Sequence, residues 1–369
     1  MMIKVVDNKT LSQVLTHYRC SIDNCTVSPL GNGLINSTYL VCNDKAKSTF
    51  VLQRINKNVF KKPKDVIDNA ELINKHLFAK KQKNLYSLSP IWQISTIDEQ
   101  SLVIDAHNEY WRAIHYIPDC FSVEEVETPE QAKQVASAFA QFTSTLSDFP
   151  ATSLTETIPD FHNLSKRIND LKTVIKADAK GRLSSCQPLV DFCFSAQTFI
   201  DEVEQLTQQL PIQVTHNDTK INNLLFCAKS NLPLAVIDLD TCMPGYLMHD
   251  FGDMVRTCCS NLPEDGTDLT KMKVRFDIYS ALSQGYIEAF GNKMSEIERQ
   301  SLVIGAQLLP FMLGVRFLTD YLDGDNYFHV EHESHNVERA KNQLNLYRLL
   351  HEDSEKLNAI AANFTVAVI

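Results

Sequence analysis

From Cys25 to Ile117 the chain alternates apolar and polar positions in short runs. Cys25–Ser28, Ser37–Cys42 and Thr49–Arg54 are β-prone and separated by turn residues. Ser89–Ile94, Ser101–Ala106 and Trp111–Ile117 continue the pattern. Between these groups, after a break at Lys61–Lys64, a helical period takes over. Val66, Ile67, Ala70, Ile73 and Leu77 fall on one face. Beyond Pro118 that period dominates. Thr128-Pro129-Glu130-Gln131 reads as a helix start, with threonine as cap and proline in the first turn. Val135, Phe139, Phe142 and Leu146 mark the apolar face that follows. Further helices are predicted over 163–176, 187–209, 270–290, 294–318 and 336–357. The pattern predicts an α+β fold: a small β-rich N-terminal lobe, residues 1–115, and a larger, mostly helical C-terminal lobe, residues 116–369.

Composition narrows the partners. The chain has 369 residues, 44% of them hydrophobic, enough for a two-lobed core. Its net charge of −10 argues against a nucleic-acid or anionic-membrane binder, which needs a basic face. An anionic substrate must therefore be met by local cations or a metal. The start, MMIKVVDNKT, lacks the apolar stretch of a signal peptide. The most apolar window, Leu302–Val315, contains Gln307 and Pro310 and is shorter than a bilayer span. The ten cysteines form no C-x-x-C pair and are expected as reduced, core-filling thiols of a cytoplasmic protein. The oligomeric state stays open.

Chemistry concentrates in one stretch. His216, Asp218 and Asn223 fit H-x-D-x-x-x-x-N, and Asn223 leads into the apolar run Leu224–Phe226. Lys229-Ser230-Asn231 is a turn, and Leu234–Ile237 is a second strand ending at Asp238. Such a hairpin returns the chain to its start, so Asp238 is expected beside Asn223, with Asp218 close by. Two carboxylates and an amide oxygen suit Mg²⁺. Phosphoryl transfer needs that metal, a carboxylate to orient the attacking hydroxyl, and positive charge on the phosphates.

The pattern resembles the aminoglycoside phosphotransferase and protein-kinase-like superfamily. The resemblance implies a protein-kinase-like fold, ATP and Mg²⁺ as cofactors, and adenine near His115–Ile117. It implies Asp218 as catalytic base, Asn223 and Asp238 as metal ligands, His216 as loop support and Lys220 as a γ-phosphate contact. Asp250-Phe251-Gly252 spells D-F-G but follows a Pro-Gly loop rather than the hairpin. Asp250 and Asp253 are expected to brace the catalytic loop. Asp240 remains open between metal, substrate and hairpin-cap roles. In the nucleotide half, Gly31, Gly33 and Asn36 lie in a glycine turn between two strands, where backbone N–H groups approach phosphates. The third strand, Phe50–Arg54, has no lysine. Gln53 and Arg54 point to opposite faces, and Arg54 is favoured for its charge, with Asp68 or Glu71 as its acidic partner.

A narrower resemblance is to the N-acetylhexosamine 1-kinases. It rests on Gly33–Tyr39, Val51–Asn56, Ile158–His162, His216–Asn223, Val236–Thr241, His249–Asp253 and Arg316–Phe328. It implies a small-molecule acceptor, an amino sugar phosphorylated at its anomeric hydroxyl. Arg316 and Tyr327 would contact the sugar, with His162 as a further candidate; a buried Arg316 paired with Asp320 or Asp323 is the structural alternative. The acidic stretch Asp320–Asp325 keeps choline, homoserine or an aminoglycoside open as acceptors. The missing strand lysine keeps open a nucleotide-binding regulator without activity. The string from His329 to His335 falls short of H-E-x-x-H and is read as a polar lead-in to a helix.

Overall fold

The computed structural model describes residues 6–31 and 35–364. It is a mixed α+β molecule, with antiparallel strands early in the chain and helices after them. It divides into two compact units that are discontinuous in sequence. The strand-rich unit holds the chain up to Phe121 and takes back Thr152–Pro159 and Leu225–Met243. The helical unit holds Ser122–Ala151, Asp160–Leu224 and the chain from Pro244 onward.

The main sheet of the strand-rich unit contains β1 (Cys25–Pro29), β2 (Ser37–Asn43), β3 (Ser48–Ile55), β4 (Gln93–Ile94), β5 (Val103–Ile104) and β6 (Tyr110–His115). The order is β1-β2-β3-β6-β4, with β5 also paired to β6. Alternation sorts the side chains by face. Tyr39, Val41, Phe50, Leu52, Trp111 and Ala113 pack with Leu11, Val14 and Leu15 of a helix, α1 (Asn8–Thr16). That helix was not among the expected elements. Asp7 caps it by accepting the Thr10 N–H at 2.9 Å. The expected strands over 89–94 and 101–106 shrink to two residues each. Lys61–Lys64 is no break: Pro63 opens α2 (Pro63–Gln82), which buries Val66, Ile67, Ala70, Ile73 and Leu77.

The helical unit is built from α3 (Pro129–Thr145), α4 (Leu164–Ala177), α5 (Leu183–Ser195), α6 (Gln197–Thr207), α7 (Leu247–Cys258), α8 (Phe276–Phe290), α9 (Glu296–Asp323), α10 (His335–Glu352) and α11 (Ser354–Ala362). Thr128 caps α3 through the Gln131 N–H, and Ser295 with Glu298 forms a capping box on α9. The predicted helices over 187–209 and 336–357 each divide in two. Helix α9 is the spine, packed by α4, α7 and α10. It continues through Pro310, so the Leu302–Val315 window belongs to a 28-residue helix. By length and composition α9 could cross a bilayer, yet 78% of its apolar window is buried inside the protein. Packing accounts for its hydrophobicity.

Candidate active site

The strand Gln213–Thr215 delivers the chain into the candidate catalytic loop, residues 216–223, of the helical unit. His216 is fully buried, its ring edge-on to Phe139 and Phe142 of α3 at centroid distances of 5.5 and 5.9 Å. Its Nδ1 accepts the Asp218 N–H at 3.3 Å. The Asp250 carboxylate accepts the N–H groups of His216 (3.0 Å) and Asn217 (2.7 Å). Its backbone carbonyl accepts the Thr219 hydroxyl at 2.6 Å. Asn217 meanwhile holds φ at +64°. These bonds pin a turn that asparagine tolerates better than most residues.

Asp218 stands at the loop's apex, half-buried. The Asn223 side-chain amide donates to its Oδ2 at 2.9 Å and to its backbone carbonyl at 2.8 Å. Lys220 Nζ lies 3.1 Å from Oδ1. Burial pushes the Asp218 carboxyl up, but Lys220, His216 and Asn223 together outweigh it and hold it below the usual range. The result is a carboxylate ready to accept a hydroxyl proton. Asp218 in turn raises Lys220, which stays charged. Asn223 spends its N–H₂ on Asp218, which leaves Oδ1 as the atom suited to a hard cation. Mg²⁺ uses one or two protein ligands with phosphates and water. It therefore does not require a cluster of three His, Cys, Asp or Glu side chains, and none occurs among the described residues.

Two further groups flank the loop. Asp253 accepts two bonds on Oδ1 from Arg256, at 2.9 and 2.8 Å, while its buried Oδ2 meets no donor. Burial raises the Asp253 carboxyl, and Asp218 adds repulsion. On another side, His162 Nε2 lies 3.3 Å from the Asn217 carbonyl, and its ring is 4.7 Å from that of His249. Nδ1 of both rings is buried without a partner. Burial pulls His162 well below its usual pKa and His249 to about 3. Arg316 lies among the rings of Phe161, Tyr327 and Phe328, at 5.3, 5.5 and 5.3 Å. Burial brings its pKa down to about 10, so it keeps its charge at neutral pH. Tyr327 is 55% exposed.

The acidic stretch after Arg316 is committed elsewhere. Asp320 accepts the N–H groups of Asn326, Tyr327 and Phe328 and the Asn336 amide, all at 2.8–2.9 Å. Asp323 accepts the Asn326 amide, and Asp325 pairs with Arg182 at 2.6 Å. None of these carboxylates pairs with Arg316, so the expected structural alternative is not what forms. In the string that follows, His332 pairs with Glu338 at 2.8 Å and His335 Nδ1 accepts the Glu331 N–H at 3.2 Å.

In the strand-rich unit, register settles which face each β3 side chain uses. Arg54 donates to Ser37 Oγ at 3.0 Å and lies 5.9 Å from the Trp111 ring. It shares the face covered by α1. Gln53 lies on the other face, where its Oε1 accepts two bonds from Arg112 at 3.0 and 2.8 Å. Arg112 also bonds the Asp240 carboxylate. Asn36 Nδ2 donates to Asp240 Oδ2 at 2.7 Å, and Thr157 Oγ1 to the Asp240 carbonyl at 2.8 Å. Asp240 and Arg112 are only 1% and 3% exposed. The cation on the face of Asp240 is thus Arg112 of β6, not Arg54. Asp68 and Glu71 pair with Lys64 and Lys75 on their own helix, each at 2.6 Å.

Leu224–Cys227 and Pro233–Val236 are adjacent strands in a second sheet, and Asp238 follows them in the left-handed region at φ +60°. Gly31 holds φ at +72° in the glycine turn, and Gly33 lies outside the described residues. The side chain of Asn36 is bonded at both ends, its Oδ1 accepting the Asn56 N–H at 3.0 Å.

Residues 26–276 match the model of the phosphotransferase enzyme family APH. The chain belongs to that family. An aminoglycoside phosphotransferase from Alicyclobacillus acidocaldarius superposes with a TM-score of 0.62, over 97% of this chain and 98% of that one, at 12% identity. A choline kinase from Cryptosporidium parvum gives 0.56, covering 94% of both chains at 14% identity. A Plasmodium vivax ethanolamine kinase gives 0.56, covering 93% and 91%, also at 14%. At such identities the likeness establishes the kinase-like fold. The chain is a small-molecule phosphotransferase with an alcohol group as acceptor. Its sequence did not announce Arg112, nor that one oxygen of Asp253 would be buried without a donor. The signal for Arg112 was a charged residue within an otherwise apolar run, after Trp111.

Proposed function

We propose that this phosphotransferase moves the γ-phosphate of ATP to the anomeric hydroxyl of an N-acetylhexosamine. The observation that carries the acceptor assignment is Arg316, a charged guanidinium framed by three aromatic rings with no carboxylate beside it. Cationic acceptors such as choline or an aminoglycoside call for an acidic or aromatic cage free of competing cations. A neutral sugar with an acylamino carbonyl instead suits a fork of N–H donors and a ring face.

In the mechanism Asp218, kept ionised by Lys220 and Asn223, accepts the sugar hydroxyl's hydrogen bond and aims its oxygen at the γ-phosphorus. It takes the proton as the new P–O bond forms and the bond from the γ-phosphorus to the bridging oxygen of the β-phosphate breaks, releasing ADP. Lys220 contacts the γ-phosphate. Asn223 and Asp238 would hold Mg²⁺, which when bound neutralises phosphate charge. Residues 1–115 carry the nucleotide functions, with backbone N–H groups around Gly31, Gly33 and Asn36 for the phosphates and Arg112 in place of Arg54 as the strand cation. Residues 116–369 carry the base and the acceptor contacts Arg316, Tyr327 and His162.

The test is ADP release with Mg-ATP over N-acetylglucosamine, N-acetylgalactosamine, glucose, galactose, choline, homoserine and kanamycin. Turnover is expected on the N-acetylhexosamines. Asp218→Asn should lower kcat by about 10²–10⁴-fold with folding intact. Arg316→Ala should raise KM for the sugar and leave KM for ATP unchanged. Turnover confined to choline, homoserine or kanamycin would overturn the acceptor assignment while leaving the phosphotransferase chemistry in place.

A further inference from the structure

Cys120 and Cys227 face one another across a short antiparallel ladder in the strand-rich unit. The hydrogen bonds define what kind of pair they are. The Ala228 N–H donates to the Asp119 carbonyl at 2.8 Å, while the Cys227 N–H turns away to Leu232 at 2.9 Å. Cys120 and Cys227 therefore form a non-hydrogen-bonded pair, the class in which opposed Cα atoms are about 4.5 Å apart and side chains come closest. Disulfides span Cα separations of about 4.4–6.8 Å, so this backbone already lies inside the permitted range. Both thiols are free and half-buried.

The two thiols also differ in character. Cys227 sits over the turn that follows its strand. There the Ser230 hydroxyl, the N–H groups of Lys229 and Ser230 and the Lys229 ammonium draw it below the usual thiol range. Cys120 is pushed up by burial, by Asp119 and by Cys227 itself. Its Sγ donates to the Ile117 carbonyl at 3.0 Å. One partner is thus set to attack and the other to resolve.

We propose that Cys120 and Cys227 are a redox-modifiable dithiol, closed to a cross-strand disulfide by a glutathione-type low-molecular-weight disulfide. The Cys227 thiolate attacks one sulfur of the oxidant, the oxidant's S–S bond breaks, and one oxidant thiolate leaves and takes up a proton. The Cys120 thiol then loses its proton and attacks the Cys227 sulfur of the mixed disulfide, expelling the second oxidant thiol. Two protein thiols become one disulfide, and one oxidant disulfide becomes two thiols. The bond would tie the chain just after β6 to the strand that follows Asn223. Among the remaining cysteines only Cys25 and Cys42 are also half-buried, and burial with Cys20 pushes the Cys25 thiol up to about 11.

The full chain would be incubated with oxidised or reduced glutathione, blocked with iodoacetamide and digested without reductant. The expected result is a peptide pair joined through Cys120 and Cys227, both protected from alkylation and both released by dithiothreitol. Cys120→Ser should trap glutathione on Cys227, and Cys227→Ser should leave Cys120 alkylated. The wild-type map decides by itself if either variant fails to fold. Alkylation of both thiols despite the oxidant would overturn the proposal. So would wild-type glutathione stranded on Cys227, or a crosslink at Cys20 and Cys25 instead.

Discussion

At the scale of single residues, the helical unit buries polar groups close in sequence to the loop or within it. His249 is held neutral by burial, with a pKa of about 3 against 6.5 for a free histidine. The unfolded chain takes up a proton at this residue below pH 6.5, and the native one does not until about pH 3. Stability is therefore complete above 6.5 and falls as the pH drops through that window. His249→Gln should remove about 1.4 kcal/mol per pH unit of that loss, read from denaturant midpoints between pH 6.5 and 4. An unchanged slope would mean that His249 titrates normally in the native state. Asp218 behaves oppositely in kind: it is charged and stabilised as a charge by Lys220 and Asn223. The first is buried as a neutral ring, and the second is held as a carboxylate.

At the scale of elements, the D-F-G tripeptide finds a structural explanation. It lies in α7, a helix not among the predicted elements, although Leu247, Met248, Phe251, Met254, Val255 and Cys258 recur at helical spacing. Asp250 accepts the Asn217 N–H, and Phe251 packs on Tyr279 and Tyr286 at 6.0 and 5.5 Å. Gly252 meets Gly305 of α9 so closely that a methyl on Gly252 would overlap the Gly305 carbonyl. A methyl on Gly305 would in turn overlap the Met248 carbonyl. Backbone cannot rotate away as a side chain can. Gly252→Ala or Gly305→Ala should therefore destabilise by about 1–3 kcal/mol in urea unfolding and loosen Asp250 on the loop. A neutral result for both would show that the helices can part without cost. The long elements α2, α3 and α9 were legible because their apolar periods are strong. Helix α1 was not, since a nine-residue helix carries little periodic signal and owes its stability to packing on the sheet.

At the scale of the whole molecule, the strand-rich unit depends on chain that arrives late. Asp240, from the segment Leu225–Met243, closes a buried network with Arg112, Asn36 and Gln53. Removing its charge leaves Arg112 buried without a counter-ion, a change that typically costs about 3–5 kcal/mol. Asp240→Asn should thus lower the unfolding midpoint of the strand-rich unit and raise KM for ATP. Arg112→Met/Asp240→Leu together should recover much of the stability without recovering the nucleotide affinity. If Asp240→Asn alone left both unchanged, the network would have no role in either.

The sequence by itself determined the α+β class, the long helices and the loop from His216 to Asn223. Their signals are local: an alternating or helical period, a capping residue, and reactive groups within eight positions of one another. Tertiary structure decided the rest. Whether Gln53 or Arg54 faces Asp240 depends on which side of β3 the later segment packs, and strand alternation alone leaves both faces equivalent. Arg112 acquires its partner from a residue 128 positions away. Arg316 has no carboxylate partner because backbone N–H groups claim Asp320 first. Cys120 and Cys227 became a pair through strand register. Each of these outcomes turns on which distant segment fills a given face, and the order of residues along a chain does not carry that information locally.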